Sequence, residues 1–554
     1  MAVSYLLLVT AGAARAQVVT DPSDPLYTDL EVWEAKGLLG RLPALQPYPQ
    51  QLVEHLLRDV ADNEGASPSD RRRARWLASR IGDPLHFTLE TNTRWDAATQ
   101  GRYSLMAIDF DVQGMVIPWL GASIRGRFMA VHLDHGLALP AGRGNPEDFV
   151  SDASDFDIGT ENRQARQASY GSVGIGEGDA PLLFQLGFGR HRIGPFYDNG
   201  IVVGPQAAQA GQFAVLLRQE LFTVHTALFE LSATDDAGAG RGSGKHLFYH
   251  GIDVHLLPWL DVGAFETVVS GGRLELLYFI PVVAYFHSQG LTGFADNSLV
   301  GLVGRATPLT GVDVKGQVYF DDLSFNDMVR GRFDTKYKLA AQLGVAIAPA
   351  AILDPQRTGS ADAWRFVTVD YTAVMPYMYT HANANGAELN YENYTNAGSS
   401  LGPALEPNSD RLQLRALWRP LDDPSRSFVD VEVRGAVIRH GNASAGIIAG
   451  RDGSIFDDGF LDGTATFQPP FVDPTGQPAT RFLSQAVVEQ TLQLGASVLW
   501  TLDDARAGHE GWQRGFGGLT AVLGYTAQWQ ENAGLRRGVV RQQHFLEASL
   551  RYRY

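Results

Sequence analysis

Two groups of basic side chains are the first candidates for binding chemistry in this chain. Arg190, His191 and Arg192 follow one another directly. Guanidinium and imidazolium groups bind an anionic sugar or a lipid phosphate through charge-assisted hydrogen bonds. Because the interior of a membrane β-barrel is usually charged, an ion-pair network that holds a plug is the preferred interpretation. The same two interpretations apply to an arginine row with a spacing of four residues: Arg411, Arg415 and Arg419.

The acidic residues and the histidines show no spacing typical of a metal site. Three Asp pairs offer the oxygen ligands that Ca²⁺ prefers, but none has the spacing of an EF-hand, so solvated loops are predicted. The pairs are Asp235-Asp236, Asp321-Asp322 and Asp457-Asp458. The 14 histidines include no His-x-x-x-His pair beside a Glu, the pattern typical of zinc enzymes. We therefore predict no metal and no other cofactor.

Motifs of nucleotide binding and of hydrolysis are also weak. Residues 171–176 contain a Gly-x-Gly, but we assign them to a polar loop without a following helix, which argues against a nucleotide site. No Gly-x-Ser-x-Gly elbow occurs. Barrel lipases need no such elbow, so a lipid-modifying enzyme stays open as a class, while the prediction is a protein without enzymatic activity.

The last strand of the chain indicates what would position these side chains. Apolar residues occupy every second position from Leu546 to Tyr554, with polar or charged residues between them. A period of two that ends on an aromatic carboxyl terminus is typical of the closing strand of an outer-membrane barrel. We expect the barrel-assembly machinery to recognise this strand.

The same alternation continues from Asp83 onward, in segments of about 10 residues, the length with which a tilted strand crosses a bilayer. Three apolar residues are predicted to face lipid: Leu414, Val431 and Leu494. Their polar neighbours are predicted to face the lumen: Gln413, Asp430 and Gln493.

The connections between these segments alternate in length. Tight turns are assigned to Pro118–Leu120, Pro258–Leu260, Pro308-Leu309 and Pro420–Asp423, and long polar loops to 139–169, 232–246, 381–410 and 440–481. Short turns at one end and long loops at the other are typical of outer-membrane proteins. Residues 83–554 are therefore predicted to form an all-β transmembrane barrel of about 16–18 antiparallel strands.

Residues 17–82 are predicted to form a small α-helical domain. Start signals for three helices occur at Asp24-Pro25, at Pro49 and at the capping box Ser67-Pro68-Ser69-Asp70. The basic residues of the third helix, including Arg73, are assigned to its polar face. Because so small a domain is only marginally stable alone, we expect it to plug the periplasmic mouth of the barrel.

Composition and the first residues indicate export to a Gram-negative outer membrane. Residues 2–13 are mostly apolar and Ala14-Arg15-Ala16 forms a small-x-small site, so residues 1–16 are predicted to be a signal peptide cleaved near Ala16. The absence of cysteine excludes a disulfide framework and a lipoprotein anchor. A net charge of -16 argues against nucleic acid as a partner.

Four patches of sequence carry a family resemblance. They are Asp29-Leu30 with Lys36-Gly37-Leu38 and Pro47-Tyr48-Pro49; Gly189–Pro195 with Asn199–Val203; His250, Glu266, Tyr278–Pro281, Asn297 and Phe320-Asp321-Asp322; and Leu401-Gly402-Pro403 with Pro407–Asp410. With these patches in this order, the chain resembles the Wzi-type outer-membrane capsule-assembly family. The resemblance implies a large barrel closed below by a helical bundle, and a lectin-like role without turnover.

On this resemblance, the chain is expected to hold exported capsular or other surface polysaccharide at the cell surface. The candidate glycan-binding residues lie in the resembling patches: Arg190, Arg192, Asp198, Asp321, Asp322, Asn408 and Asp410. The expected partners are surface polysaccharide and outer-membrane lipid. A porin or channel for small solutes is the alternative, and it would require an open lumen.

Overall fold

The computed structural model describes most of the chain. The described residues are 22, 24–81, 85–117, 120–133, 140–141, 162–175, 182–196, 198–235, 240–280, 284–292, 296–323, 329, 337–354, 363–381, 389–423, 427–441, 455, 482–483, 485–502 and 518–553. The predicted signal peptide, the turn residues Pro118 and Trp119, Asp236, the Asp457-Asp458 pair and Tyr554 lie outside them.

The three predicted amino-terminal helices are present. They are α1 (Pro25–Ala35), α2 (Gln50–Asp62) and α3 (Pro68–Ile81). At the start of α1, the Asp24 carboxylate accepts a hydrogen bond from the Leu26 backbone N–H at 2.9 Å, as an N-cap does. The chain leaves α1 through Gly37, whose φ of 68° suits a residue without a Cβ.

Helix α3 begins with the Ser67 half of the predicted capping box, while the Asp70 carboxylate accepts from the Ser67 hydroxyl and not from its backbone N–H. The Asp70 backbone N–H donates to Ser67 Oγ at 3.1 Å, and Ser67 Oγ donates to the Asp70 carboxylate at 2.9 Å. The assignment of Arg73 to the polar face is wrong: its side chain is buried and donates to the Asp29 carboxylate of α1 at 2.9 Å. No helix among the described residues is long and apolar enough to cross a membrane.

Eighteen antiparallel strands follow and form the barrel wall. They are β1 (Leu85–Asp96), β2 (Arg102–Ile117), β3 (Leu120–Leu133), β4 (Asn162–Ile175), β5 (Leu182–Gly189), β6 (Ala210–Arg218), β7 (Phe222–Ala233), β8 (Gly242–Leu257), β9 (Leu260–Gly271), β10 (Asn297–Leu309), β11 (Val312–Leu323), β12 (Tyr337–Ile347), β13 (Trp364–Val374), β14 (Ser409–Asp423), β15 (Ser427–Gly441), β16 (Val488–Leu502), β17 (Leu519–Glu531) and β18 (Val540–Arg553).

The wall is a closed ring because each strand pairs with its neighbours in sequence and β18 pairs with β1. The closing register runs from Thr88 opposite Arg553 to Asp96 opposite Phe545. The predicted fold class and strand number are therefore confirmed. The connections also contain a 3₁₀ turn (Leu276–Phe279) and two short helices, α4 (Tyr285–Thr292) and α5 (Pro349–Leu353). Two small antiparallel pairings lie outside the wall: Leu45–Gln46 with Arg192–Ile193, and Thr395–Asn396 with Ser399–Ser400.

The two faces of the strands carry the predicted side chains. On β14, Leu414 on the outer face is 44% exposed, whereas its neighbour Gln413 on the luminal face is 5% exposed. The same contrast holds on β16, where Leu494 is exposed and Gln493 is buried. A strand turns successive side chains to opposite faces, so the alternation in the sequence maps directly onto lipid and lumen.

Four of the assigned connections need correction. Residues 162–169 belong to β4 and residues 242–246 to β8, although the sequence pattern assigns both to long loops, and residues 171–175 of the Gly-x-Gly segment also belong to β4. Pro308-Leu309 ends β10 and Pro420–Asp423 ends β14, so neither forms the turn itself. Pairing continues past these prolines because a register shift accommodates each of them.

The helices lie at the short-turn end of the barrel. The Gly311 backbone N–H, in the turn between β10 and β11, donates to the Ala35 carbonyl at 3.1 Å. The Arg41 guanidinium reaches Thr307 at 3.1 Å near the same turn. Val32 and Ala35 of α1 also join a small buried cluster with Phe366 of the wall. Helix α1 therefore packs directly against the inside of the barrel at that end.

The described parts of two connections at the long-loop end fold into the lumen. We name residues 190–196 and 198–209 inner loop A, and residues 375–381 and 389–408 inner loop B. Tyr379 of inner loop B donates its hydroxyl to the Ile201 carbonyl of inner loop A at 2.6 Å. Its ring and that of Tyr394 stack with centroids 5.2 Å apart, and both belong to the largest buried apolar cluster of the molecule. Together the two inner loops build a packed core inside the barrel.

Candidate functional site

A cavity of about 400 Å³ lies in the lumen beside the inner loops. It is bounded by β1 and β14–β18, by inner loop A, by Ala404 of inner loop B, and by Pro140 and Ala141. Its polar lining residues include Arg94, Arg190, Asp198, Gln206, Arg411, Gln413, Glu432, Arg434, Gln493, Ser497, Thr526 and Glu547. Most of these residues lie in the halves of their strands nearer the long-loop end. The cavity therefore lies beyond the helices, toward the long-loop end of the barrel.

An ion-pair network crosses the floor of this cavity. The Arg434 guanidinium lies 3.0 Å from the Asp198 carboxylate of inner loop A and also bonds to Glu432. The Arg415 guanidinium bonds to the other side of Glu432 at 2.7 Å. Burial alone raises the pKa of Asp198, but Arg434, Arg415 and Arg411 hold that pKa well below its usual range. Asp198 is therefore a fixed anion that ties inner loop A to the wall.

A second ion pair stands at the seam where the barrel closes. Arg94 of β1 and Glu547 of β18 are 3.1 Å apart, and both side chains are only partly buried. This pair faces the cavity from the wall opposite inner loop A. Charges of both signs thus surround the cavity, and each can offer hydrogen bonds to a polar ligand.

Three glutamines form a ladder of side-chain amides along the wall. Gln493 of β16 donates to Gln528 of β17 at 2.7 Å, and Gln528 donates to Gln543 of β18 at 3.0 Å. Ala141, from the connection between β3 and β4, rests on this ladder through its backbone. Its N–H donates to Gln528 at 2.9 Å, and its carbonyl accepts from Gln493 at 2.7 Å. The ladder shows that this wall already binds a peptide backbone through amides.

Two of the predicted glycan-binding residues line the cavity. Arg190 begins inner loop A and donates to the Pro205 carbonyl at 3.3 Å, and Asp198 belongs to the network described above. Arg192, only two residues from Arg190, lies elsewhere. Its side chain bonds to Gln46 and lies over the Tyr27 ring, so it joins inner loop A to the helical segment.

Of the remaining predicted site residues, Asp321 and Asn408 attach inner loop B to the wall. Asp321 accepts from the Tyr379 backbone N–H at 2.9 Å, and Asp322 belongs to β11, with its side chain outside the described residues. Asn408 has a φ of 63° and donates to the Gly441 carbonyl at 2.7 Å. Asp410 bonds to Arg439 and accepts from the Tyr371 hydroxyl at 2.8 Å. These residues do not meet in one place.

The arginine row on β14 is part of the lumen network. Arg411 lines the cavity and lies 3.8 Å from Asp370, and Arg419 pairs with Asp430 at 2.7 Å. Arg415 reaches Glu31 of α1 at 3.7 Å in addition to Glu432. The sequence analysis did not select Arg94, Glu547, Gln528 and Gln543. All four occupy luminal positions in the alternating pattern of the adjacent strands β17, β18 and β1, and this alternation is the signal that could have found them.

Ion pairs also attach the helical segment to the wall. Glu34 of α1 lies 3.1 Å from Lys315 of β11, and Asp29 lies 2.6 Å from Arg365 of β13. After α1, Arg41 lies 2.9 Å from Asp261. These contacts spread over strands from β9 to β14, on the side of the lumen away from the Arg94 seam.

Among the residues that the structure describes, no three His, Asp or Glu side chains come together as a metal site. Asp235 is described without its predicted partner Asp236, and Asp321 lies 3.7 Å from the Lys338 ammonium. The cavity is therefore a set of amides and paired charges, which suits hydrogen bonding to a polar, uncharged or weakly charged ligand.

One comparison with a known protein bears on the fold of this chain. No protein-family model and no curated protein sequence matches the chain. A solved structure of Wzi from Escherichia coli, an outer-membrane protein involved in group 1 capsule assembly and described as a carbohydrate-binding β-barrel, is 13% identical with a TM-score of 0.55, covering 97% of this chain and 99% of that one. OprD of Pseudomonas aeruginosa is 8% identical with a TM-score of 0.43, covering 85% and 94%. The Wzi structure shows that this chain has the fold of an outer-membrane β-barrel.

Proposed function

We propose that this protein resides in the outer membrane and holds exported capsular or other surface polysaccharide at the cell surface, without chemical turnover. The observation that carries the proposal is the cavity of about 400 Å³, whose lining includes Gln493, the first residue of the glutamine ladder, and the Arg94–Glu547 pair. Sugar hydroxyls donate and accept hydrogen bonds, so side-chain amides and ion pairs are matched to them. The similarity in fold to a carbohydrate-binding barrel supports the same function.

The proposal includes the arrangement of the chain. Residues 1–16 act as the signal peptide, residues 17–82 plug the periplasmic end, and residues 83–554 span the membrane, inserted by the barrel-assembly machinery through β18. The ion pairs from Asp29, Glu34 and Arg41 to the wall support a plug that stays in place. Arg190 and Asp198 are the predicted glycan-binding residues that fit this function best, because both line the cavity.

The deciding experiment separates polysaccharide attachment from transport. In a deletion strain, cell-attached and shed polysaccharide are measured separately, alongside uptake of a small solute. If the protein holds polysaccharide, the deletion strain should make the same total amount of polysaccharide and shed a larger fraction of it. Unchanged attachment together with lost solute uptake would instead identify a channel, and a planar-bilayer trace of the purified protein would then show steady conductance.

A matched pair of variants assigns the activity to the cavity. Gln493→Leu removes an amide of the ladder, whereas Gln490→Leu changes an exposed residue on the outer face of the same strand. Loss of one neutral hydrogen bond of about 1 kcal/mol lowers affinity about fivefold. Gln493→Leu should therefore weaken binding of the shed polysaccharide to the purified protein by about that factor, and Gln490→Leu should leave it unchanged.

A further inference from the structure

A second surface of the molecule lies on the outside of the barrel, far from the cavity. The connection after β9 contains a 3₁₀ turn (Leu276–Phe279) and the helix α4. We name its described residues 272–280 and 284–292 the outer strap. The inner loops enter the lumen, but the outer strap folds back in the opposite direction, over the outer face of β8 and β9.

The alternation of side chains along β8 and β9 shows that the outer strap covers the outer face of the wall. On β8, Phe248 has the same parity as Ile252, which is exposed on the outer face, whereas Leu247 and Tyr249 belong to the luminal apolar cluster. Phe248 is nevertheless only 1% exposed. On β9, Val268 lies on the outer face beside it and is also fully buried, because the outer strap covers both residues.

Specific contacts hold the outer strap against the wall. The Phe248 ring meets Tyr278 and Phe279 edge to face, with centroids 5.1 and 5.5 Å away. The His250 ring lies over the Tyr285 ring at 3.9 Å. The Tyr285 backbone N–H donates to the Glu266 carboxylate at 2.6 Å, which fixes the start of α4 on the wall. The outer strap is therefore a packed element of the barrel exterior.

The side of the outer strap that faces away from the wall is mostly apolar, with His287 of α4 also exposed. Leu276 is 72% exposed and Leu291 is 68% exposed, and Leu274 and Ile280 are exposed as well. Directly below them, the lipid-facing wall continues with exposed apolar side chains on β8–β10: Ile252, Val262, Val300 and Leu302. The exposed leucines thus extend the membrane-facing surface upward at the long-loop end.

We propose that the outer strap lies in the outer leaflet of the membrane, with Leu276 and Leu291 inserted among lipid acyl chains. Continuity with the lipid-facing wall favours acyl chains over any other occupant. A phosphate group is a weaker match, because Arg273 is already held by Asp296 at 2.7 Å and Glu275 lies beside it. The proposal rests on the barrel spanning a membrane and is independent of polysaccharide binding.

The test uses the absence of cysteine from the natural sequence. Leu276→Cys and Leu291→Cys each carry a nitroxide label in vesicles of phosphatidylethanolamine and phosphatidylglycerol. For each label, two collision rates are measured: one with oxygen, which concentrates in lipid, and one with a water-soluble nickel chelate. The readout is the ratio of the oxygen rate to the nickel rate. Leu302→Cys on the lipid-facing wall is the membrane control, and Arg537→Cys in the β17–β18 connection is the water control. Heat-modifiable gel migration selects folded protein for every variant.

A ratio at the Leu276 label that matches the Leu302 label supports the proposal, and the Leu291 label then gives the depth of α4. A ratio at Leu276 that matches the Arg537 label overturns it and leaves this apolar face to a partner protein. This test is independent of polysaccharide binding. A protein that binds no polysaccharide can still give a lipid-like or a water-like ratio at the Leu276 label.

Discussion

Arg365 in the barrel wall donates to the Asp29 carboxylate of α1 at 2.6 Å, and Arg73 of α3 donates to the same carboxylate at 2.9 Å. One buried anion therefore joins two helices to the wall. Burial alone raises the pKa of Asp29, but Arg73 and Arg365 hold that pKa well below its usual range. The carboxylate is charged throughout the physiological range of pH.

Removing this anion is expected to loosen the helical segment. Asp29→Asn leaves two guanidinium groups buried without their shared carboxylate, which costs about 3–5 kcal/mol. Hydrogen exchange of the backbone in α1 and α3 should accelerate accordingly. Asp59→Asn, which alters a partly exposed pair with His55, is the control and should change the opening free energy by less than about 1 kcal/mol. Equal exchange in both variants would contradict this role for Asp29.

Glu31 is expected to give docking of the helices a dependence on pH. Burial is the main cause that raises the pKa of Glu31 above 4.5, and Lys315 and Arg415 offset it only in part. A carboxyl whose folded pKa is raised contributes stability that is present below its unfolded pKa and is lost as pH rises through the folded value. The helices should therefore dock more weakly at neutral pH than near pH 4.

Glu31→Gln tests this expectation directly. The neutral amide has no charge to desolvate, while Lys315 retains Glu34 at 3.1 Å and Arg415 retains Glu432 at 2.7 Å. The variant should be more stable than the natural chain at about pH 7 and no more stable at about pH 4, as measured by denaturant unfolding at both values. A loss of stability at neutral pH would mean that the Glu31 ion pairs outweigh its burial.

The two faces of β14 should respond differently to a new charge. Leu414→Arg places a guanidinium in the lipid, which costs about 2–4 kcal/mol near the midplane. Gln413→Arg places the same group in the lumen, next to the Asp198 carboxylate that Gln413 already contacts. Denaturant titration of the protein in lipid vesicles should show a large decrease in the free energy of unfolding for Leu414→Arg and a small decrease for Gln413→Arg. Equal losses would reverse the assignment of the faces.

The seam between β1 and β18 should be essential for insertion. Deleting residues 551–554 removes the backbone partners of Thr88, Leu89 and Glu90 and opens one end of the ring. Yield in the outer membrane should fall sharply, as measured by fractionation and heat-modifiable migration. A double variant with Arg551→Ala and Arg553→Ala retains the backbone pairing and serves as the control. Normal insertion of the truncated chain would exclude β18 as the closing strand.

The fold was more predictable than the site, and the reason is visible in individual residues. The alternation of Gln413 with Leu414 predicts both the strand and its faces, because lipid and lumen impose opposite polarity on neighbours. Asp24 and Ser67 predict helix starts through bonds to residues two and three positions away. Such local signals need no knowledge of distant parts of the chain.

The cavity depends on residues that the sequence keeps far apart. Arg94 meets Glu547 only because the ring closes, and Asp198 meets Arg434 only because inner loop A turns into the lumen. No local sequence pattern predicts the direction in which a loop folds. Arg190 and Arg192 are an example, because they are two residues apart and yet lie in different environments.

The connections at the long-loop end differ in length, and this bears on how a long polymer would arrive. Only Ala97 to Gly101 connect β1 with β2, and residues 532–539 connect β17 with β18. The Asp96 carboxylate tightens the first of these connections by accepting from the Ala98 backbone N–H at 2.9 Å. A long polymer that lies on the cell surface would therefore cross only short connections on its way to the Arg94–Glu547 pair, and would not need to thread an end through the rim.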